Sequence, residues 1–131
     1  MTLVVPNIGD QKSLAYIVGS ATNGNLKLHL YNNNYTPSKG DTLSNYTESI
    51  GAGYAAQTLT STTWTIATVS NVTTATYSAV TFTYTGADNL YGYYVTDAAS
   101  ANLLWAEAFP SVFNIPSAGG SVTVTPVLGA N

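Results

Sequence analysis

The chain has no cysteine and no arginine, and only three lysines. Without cysteine there are no disulfides, no thiolate metal sites and no cysteine nucleophile. The lysines, Lys12, Lys27 and Lys39, are scattered, whereas a nucleic-acid binder clusters its cations to neutralise phosphates. No basic amphipathic helix accompanies them, which argues against a membrane-surface role. No run approaches the ~18 apolar residues of a membrane span. The N-terminus has no basic region ahead of its short apolar run, so no secretory leader is expected. His29 is the only histidine. With no second ligand at metal spacing, no metal or cofactor is predicted. Charged residues are 7% of 131, against about a quarter in an ordinary soluble domain. A surface this poor in charge does not keep copies apart by repulsion, which suggests a protein used in contacts within an assembly.

Thr, Ser and Asn replace the charge, and 45% of the chain is hydrophobic. That suffices for one domain, residues 1–131, with a short N-terminal arm, residues 1–6. One segment reads as a helix, Ile8 to Val18. Asn7 is its N-cap, Asp10 stands in a box-like position, and Gly19 is its stop. Leu14, Ile17 and Val18 then form its core face. Beyond it the period falls to two. "LKLHLY" alternates Leu26, Leu28 and Leu30 against Lys27, His29 and Tyr31, placing His29 on the solvent side. Further strands are expected at Tyr54–Leu59, Thr63–Thr68, Val80–Thr85, Leu90–Thr96, Leu103–Phe109 and Ser121–Val127, all rich in Thr, Val and Tyr. Short strands at this spacing predict a mainly all-β fold: an antiparallel β-sandwich or barrel with one short N-terminal helix.

The stretch "LYGYYVTDAASANLLWAEAF" gathers aromatics around two acids, Asp97 and Glu107. A hairpin turning at "AASA" pairs Tyr94 with Trp105 and Gly92 with Glu107. The acids are then roughly 17 Å apart at strand rise, beyond the separation of paired glycosidase carboxylates. Catalysis is not expected. Neither hairpin face is polar, so it is either core on both sides or shared with a neighbouring subunit. Glu107 then needs a partner, with Lys12 or Lys27 available. The contact candidates are Tyr94 and Trp105 with Leu3, Val4 and Val5 of the arm, which has the composition to add a strand to a neighbour's sheet. The long loop "NNNYTPSKGDTLSNYTESIGAG" is the other candidate. Tyr31, Tyr35, Tyr46 and Tyr54 around it either stack on a ligand such as sugar or cover the core beneath the loop. Asp41, Glu48 and Asp88 in Asn-rich loops leave Ca²⁺ as a minor option. Sequons at Asn34, Asn45 and Asn71 are what chance gives in such a composition.

Several segments resemble small β-rich virion proteins of tailed bacteriophages. They are "LVVPNIGDQ", "NLKLHLYNNN" followed by "YTP", "GYAAQTLT", "YGYYVTD…LLWAEAF" and "IPSAGGSVTVTPVL". The resemblance implies a capsid decoration (cement) protein. Such a protein is made in the host cytoplasm, sits on the capsid exterior and bridges major capsid protein subunits as a homo-oligomer, a trimer by preference. It carries over no catalytic residue. A tail-tip or tail-fibre protein touching a receptor or glycan is the alternative, and a carbohydrate-binding β-sandwich module a third.

Overall fold

The computed structural model describes residues 3–22 and 24–130. The chain is mainly β, with one helix and antiparallel pairing in every sheet. In order the elements are β1 (Leu3–Val4), α1 (Asn7–Ile17), β2 (Leu26–Tyr31), β3 (Gln57–Leu59), β4 (Thr65–Val69), β5 (Val72–Thr76), β6 (Val80–Tyr84), β7 (Asp88–Asp97), β8 (Leu103–Ile115), β9 (Gly120–Val124) and β10 (Val127–Ala130). They form a five-stranded sheet β1-β8-β7-β2-β3, a three-stranded sheet β10-β5-β4 and the pair β6-β9.

The large sheet is buried on both faces. On one, Leu28, Leu30, Tyr93, Val95 and Trp105 pack against Phe82 and Tyr84 of β6 and Val122 and Val124 of β9. On the other, Tyr31, Tyr94, Leu103 and Ala106 lie under Ile8 of α1 and under Tyr35, Leu43 and Tyr46 of the long loop. The period-two strands in the middle of this sheet are therefore apolar on both sides.

The hairpin register differs from the one the sequence suggests. Tyr93 pairs with Glu107, Tyr94 with Ala106, and Val95 with Trp105, and the next pair is Thr96 with Leu103. Leu104 is the extra residue of a bulge, so Leu104 and Trp105 both reach the same core. A one-residue slip exchanges the faces. Trp105 thus joins Tyr93 and Val95, not Tyr94. A second bulge sits between the Leu90–Phe113 and Gly92–Ala108 pairs. It absorbs Pro110, which cannot donate to a ladder, and β8 runs on to Ile115 instead of ending at Phe109.

The helix also departs from expectation. Pro6 is the N-cap, fully buried, and no side chain caps the end. The Asn7 amide donates to the Lys39 carbonyl (2.9 Å), and Asp10 pairs with the Lys39 ammonium. Only Gly9 is buried along α1, because a Cβ there would overlap the Leu104 carbonyl oxygen. Leu14, Ile17 and Val18 are 63%, 80% and 73% exposed. The helix meets the sheet through its first turn, so the apolar stripe of its second half faces solvent. Gly19 ends it with φ +77°, as its freedom at positive φ allows.

β5 and the division of the last strand into β9 and β10 lay outside the sequence reading. Val69 pairs with Val72 across a two-residue turn in which Ser70 and Asn71 have φ of 51° and 64°, a type I′ hairpin built without glycine. Pro126 separates β9 from β10, which pairs with β5.

Candidate functional site

Each of the six carboxylates is engaged inside the fold or by Lys39. Asp41, buried under the long loop, accepts from the Tyr35 and Tyr46 phenols (2.6 Å each) and the Ser38 amide (2.8 Å). Glu48 accepts from the Tyr54 phenol (2.8 Å) and lies 2.7 Å from His29 Nδ1. Asp88 accepts from the Ser49 hydroxyl, the Asn32 amide group and the Asn89 N–H. Glu107 accepts from the Tyr93 phenol (2.9 Å), so its partner is this phenol and not Lys12 or Lys27. Asp97 accepts from the Ala101 and Asn102 amides (2.8 and 3.2 Å) and the Asn102 side chain, which closes the β7–β8 turn. Asp10 pairs with Lys39. Among the described residues no group of three or more His, Asp or Glu is arranged to hold a metal. Asp41, Glu48 and Asp88 serve three separate hydrogen-bond clusters.

His29 is buried, at 3% exposure, not on the solvent side. Its ring stacks on Tyr94 at 4.6 Å between centroids, and its Nε2 lies 2.9 Å from Thr96 Oγ1. The cause is the loop. Thr47–Ser49 return along β2, with Ser49 N–H donating to the Leu30 carbonyl (2.8 Å) and Asn32 N–H to the Thr47 carbonyl (2.9 Å). The face that a period-two reading leaves wet is thereby roofed.

The same roof takes up the tyrosines. Tyr31 is fully buried and Tyr46 6% exposed, while Tyr35 meets Tyr46 edge-on at 5.4 Å. Tyr54 stacks against Phe82 and Tyr84 and accepts the Leu30 amide. They cover the core, so Tyr31 and Tyr46 offer no open platform to a sugar. Their phenols are held neutral. Burial pushes Tyr31, Tyr46, Tyr54, Tyr93 and Tyr94 well above the usual phenol range, with neighbouring acids adding to it. Burial, with Asp88 and Glu48 nearby, pushes Tyr84 up to about 12 against the bond from Ser49. At Asp97 burial works upward, but the Asn102 side chain, the turn amides and Lys12 outweigh it and hold the carboxyl below its ordinary range.

The contact candidates also fall inside. Tyr94 is 5% and Trp105 3% exposed. Leu3 and Val4 pair with Glu107 and Ala106 of their own chain, and Val5 packs on the core. Leu3–Val4 of the arm is thus the outer strand of the chain's own large sheet.

No family model matches the chain, and no curated protein matches it.

What remains open to a partner is a different surface. A groove of about 270 Å³ lies between α1 and the three-stranded sheet, lined by Val5, Tyr16, Leu26, Trp64, Leu104 and Leu128, with Ile66 at its side. Ile17, one helical turn from the groove-lining Ser13, stands beside it. The β4–β5 hairpin is exposed on both faces, Ile66 on the groove side and Val69 with Val72 on the opposite side. No residue between Glu48 and Asp88 is charged, nor any after Glu107. All charge therefore sits on the large sheet, the helix and the loops that serve them, and β3, β4, β5, β6, β9 and β10 carry none. That charge-free run was the available sequence signal for this surface. Hydrophobic periodicity does not reveal it, because the exposed and buried strands have the same Thr/Val composition. Among the described residues no helix is long and apolar enough to cross a membrane.

Proposed function

We propose that the protein is a non-enzymatic assembly protein whose uncharged half docks on other protein subunits. In keeping with the resemblance of its segments, it is a tailed-phage capsid decoration protein. It binds the exterior of the mature shell and bridges neighbouring major capsid protein subunits. The observation that carries this reading is the segregation of charge. One half of the molecule holds every charged side chain, and the other presents Ile66, Val69 and Val72 to solvent with no charged side chain on its strands. Exposed apolar side chains on both faces of a hairpin without charge fit a protein contact better than a catalytic cleft. The engagement of all six acids inside the fold or with Lys39 supports the same reading. Binding only the assembled shell stabilises it by mass action, and many weak sites engaged together add.

The test is the copy number in purified particles, by quantitative mass spectrometry against the major shell protein. A ratio near one, or a simple fraction of it, is the expected result. A handful of copies moves the protein to the tail. Absence from particles overturns the reading.

A further inference from the structure

The geometry points to a second copy of this chain as the partner of β4. The two β4 strands pair antiparallel across a twofold axis at Ala67 and join the two three-stranded sheets into one. This goes beyond the virion reading and does not depend on it.

β4 is the outer strand of its sheet, and all five of its residues are exposed. Natural edge strands are guarded by lysine, proline, bulges or inward charges. Thr65–Val69 has none of these, and its register with β5 is unbroken. The direction of its free backbone groups follows from the turn. A two-residue hairpin closes on a hydrogen-bonded pair, here Val69 and Val72. The alternation of an antiparallel ladder then directs the N–H and C=O of Thr65, Ala67 and Val69 toward β5. Those of Ile66 and Thr68 point outward, unpaired. With the axis at Ala67, Ile66 exchanges both bonds with Thr68 of the second copy, and Thr68 does so with Ile66. Every outward group of the strand's interior is satisfied in a single register.

The chemistry of the occupant follows from charge. A strand bearing lysine or glutamate finds no counter-charge anywhere on β4, β5 or β10, whereas a second copy brings none to desolvate. The two Ile66 side chains become diagonal neighbours, within reach of each other. Val69 of the second copy comes opposite Thr65, one residue from Trp64 at the groove. The contact is isologous and closes at two copies, not at the three that the resemblance implies.

The experiment is sedimentation of the full chain together with cysteine crosslinking. The expected species is a dimer. Ile66→Lys and, separately, Ala67→Lys should convert it to a monomer with unchanged circular dichroism, and with a melting temperature that no longer rises with protein concentration as the dimer's does. The chain has no cysteine of its own. Ala67→Cys, at a non-hydrogen-bonded pair with Cα atoms about 4.5 Å apart, is within disulfide reach. It should oxidise to a covalent dimer, whereas Ala99→Cys on the exposed β7–β8 turn should not. A wild-type monomer, a trimer, or a dimer that survives both lysine variants and leaves Ala67→Cys uncrosslinked overturns the inference. A dimer that is absent from virus particles would sink the virion reading and leave this one standing.

Discussion

Tyr31 lies opposite Gly92 on the neighbouring strand. Its phenol reaches over the glycine to donate to the Tyr35 carbonyl (3.1 Å). A Cβ at residue 92 would overlap both that phenol and the Glu107 carbonyl oxygen. Gly92→Ala should therefore cost about 2–3 kcal/mol, read as a shift in the midpoint of urea unfolding with unchanged slope. His29 is held by Glu48, by Thr96 and by the ring of Tyr94. In His29→Leu, Glu48 regains water because its side chain is 39% exposed, and Thr96 still donates to the Asp97 carbonyl. The expected cost is about 1–3 kcal/mol, smaller than for a fully buried ion pair. A loss above that range in the same unfolding measurement would mean that the histidine organises the loop as well as filling the face.

At the scale of the element, two turns set two hairpins by different chemistry. The β7–β8 turn is closed by a carboxylate, that of Asp97. Asp97→Asn keeps one acceptor oxygen but loses the charge that the turn amides and Lys12 favour. It should lower stability at neutral pH, with the difference from wild type vanishing in acid. The sign follows from the depressed folded-state pKa. Its contribution is present above the unfolded carboxyl pKa and is lost as pH falls through the folded one. The β4–β5 turn places Ser70 and Asn71, two residues with a Cβ, at positive φ. Replacing them with Asn-Gly, the pair that suits a type I′ turn, should raise stability by about 0.5–1 kcal/mol. The gain should appear in the melting temperature. If β4 is the dimer contact, the same change leaves the sedimenting mass unaltered.

For the whole molecule, the tyrosines dominate the response to pH. Each raised phenol is neutral in the folded state, while its unfolded counterpart ionises near 10. Above that pH the unfolded chain binds fewer protons than the folded one, so stability falls as pH rises. Melting temperatures should hold steady from neutrality to about 9.5 and drop steeply beyond it. Phenolate absorbance should appear together with unfolding and not ahead of it. Tyrosines that titrate freely in the folded protein would contradict this burial. Salt should matter little to self-association, because the contact surface has no charge to screen.

Composition and alternation settled the all-β class, the short helix and the central strands Leu26–Tyr31, Leu90–Thr96 and Leu103–Phe109. Those signals are local, a period of two or 3.6 and a turn residue at each end. They also showed that neither face of the hairpin around Asp97 and Glu107 is polar, which left core on both sides or a shared subunit contact, and the tertiary structure buries both faces within the chain. The rest was decided by distant segments. The bulge at Leu104 fixes which side Trp105 takes, and it exists because Thr96 pairs with Leu103 while Val95 pairs with Trp105. The side of His29 depends on where Thr47–Ser49 come to rest, some twenty residues on. Leu14, Ile17 and Val18 have a core-facing pattern, yet the close approach of Gly9 to Leu104 commits only the first turn of the helix to the sheet. An apolar pattern records that a face wants to leave water. Which surface it meets, in this chain or in another, depends on the tertiary arrangement.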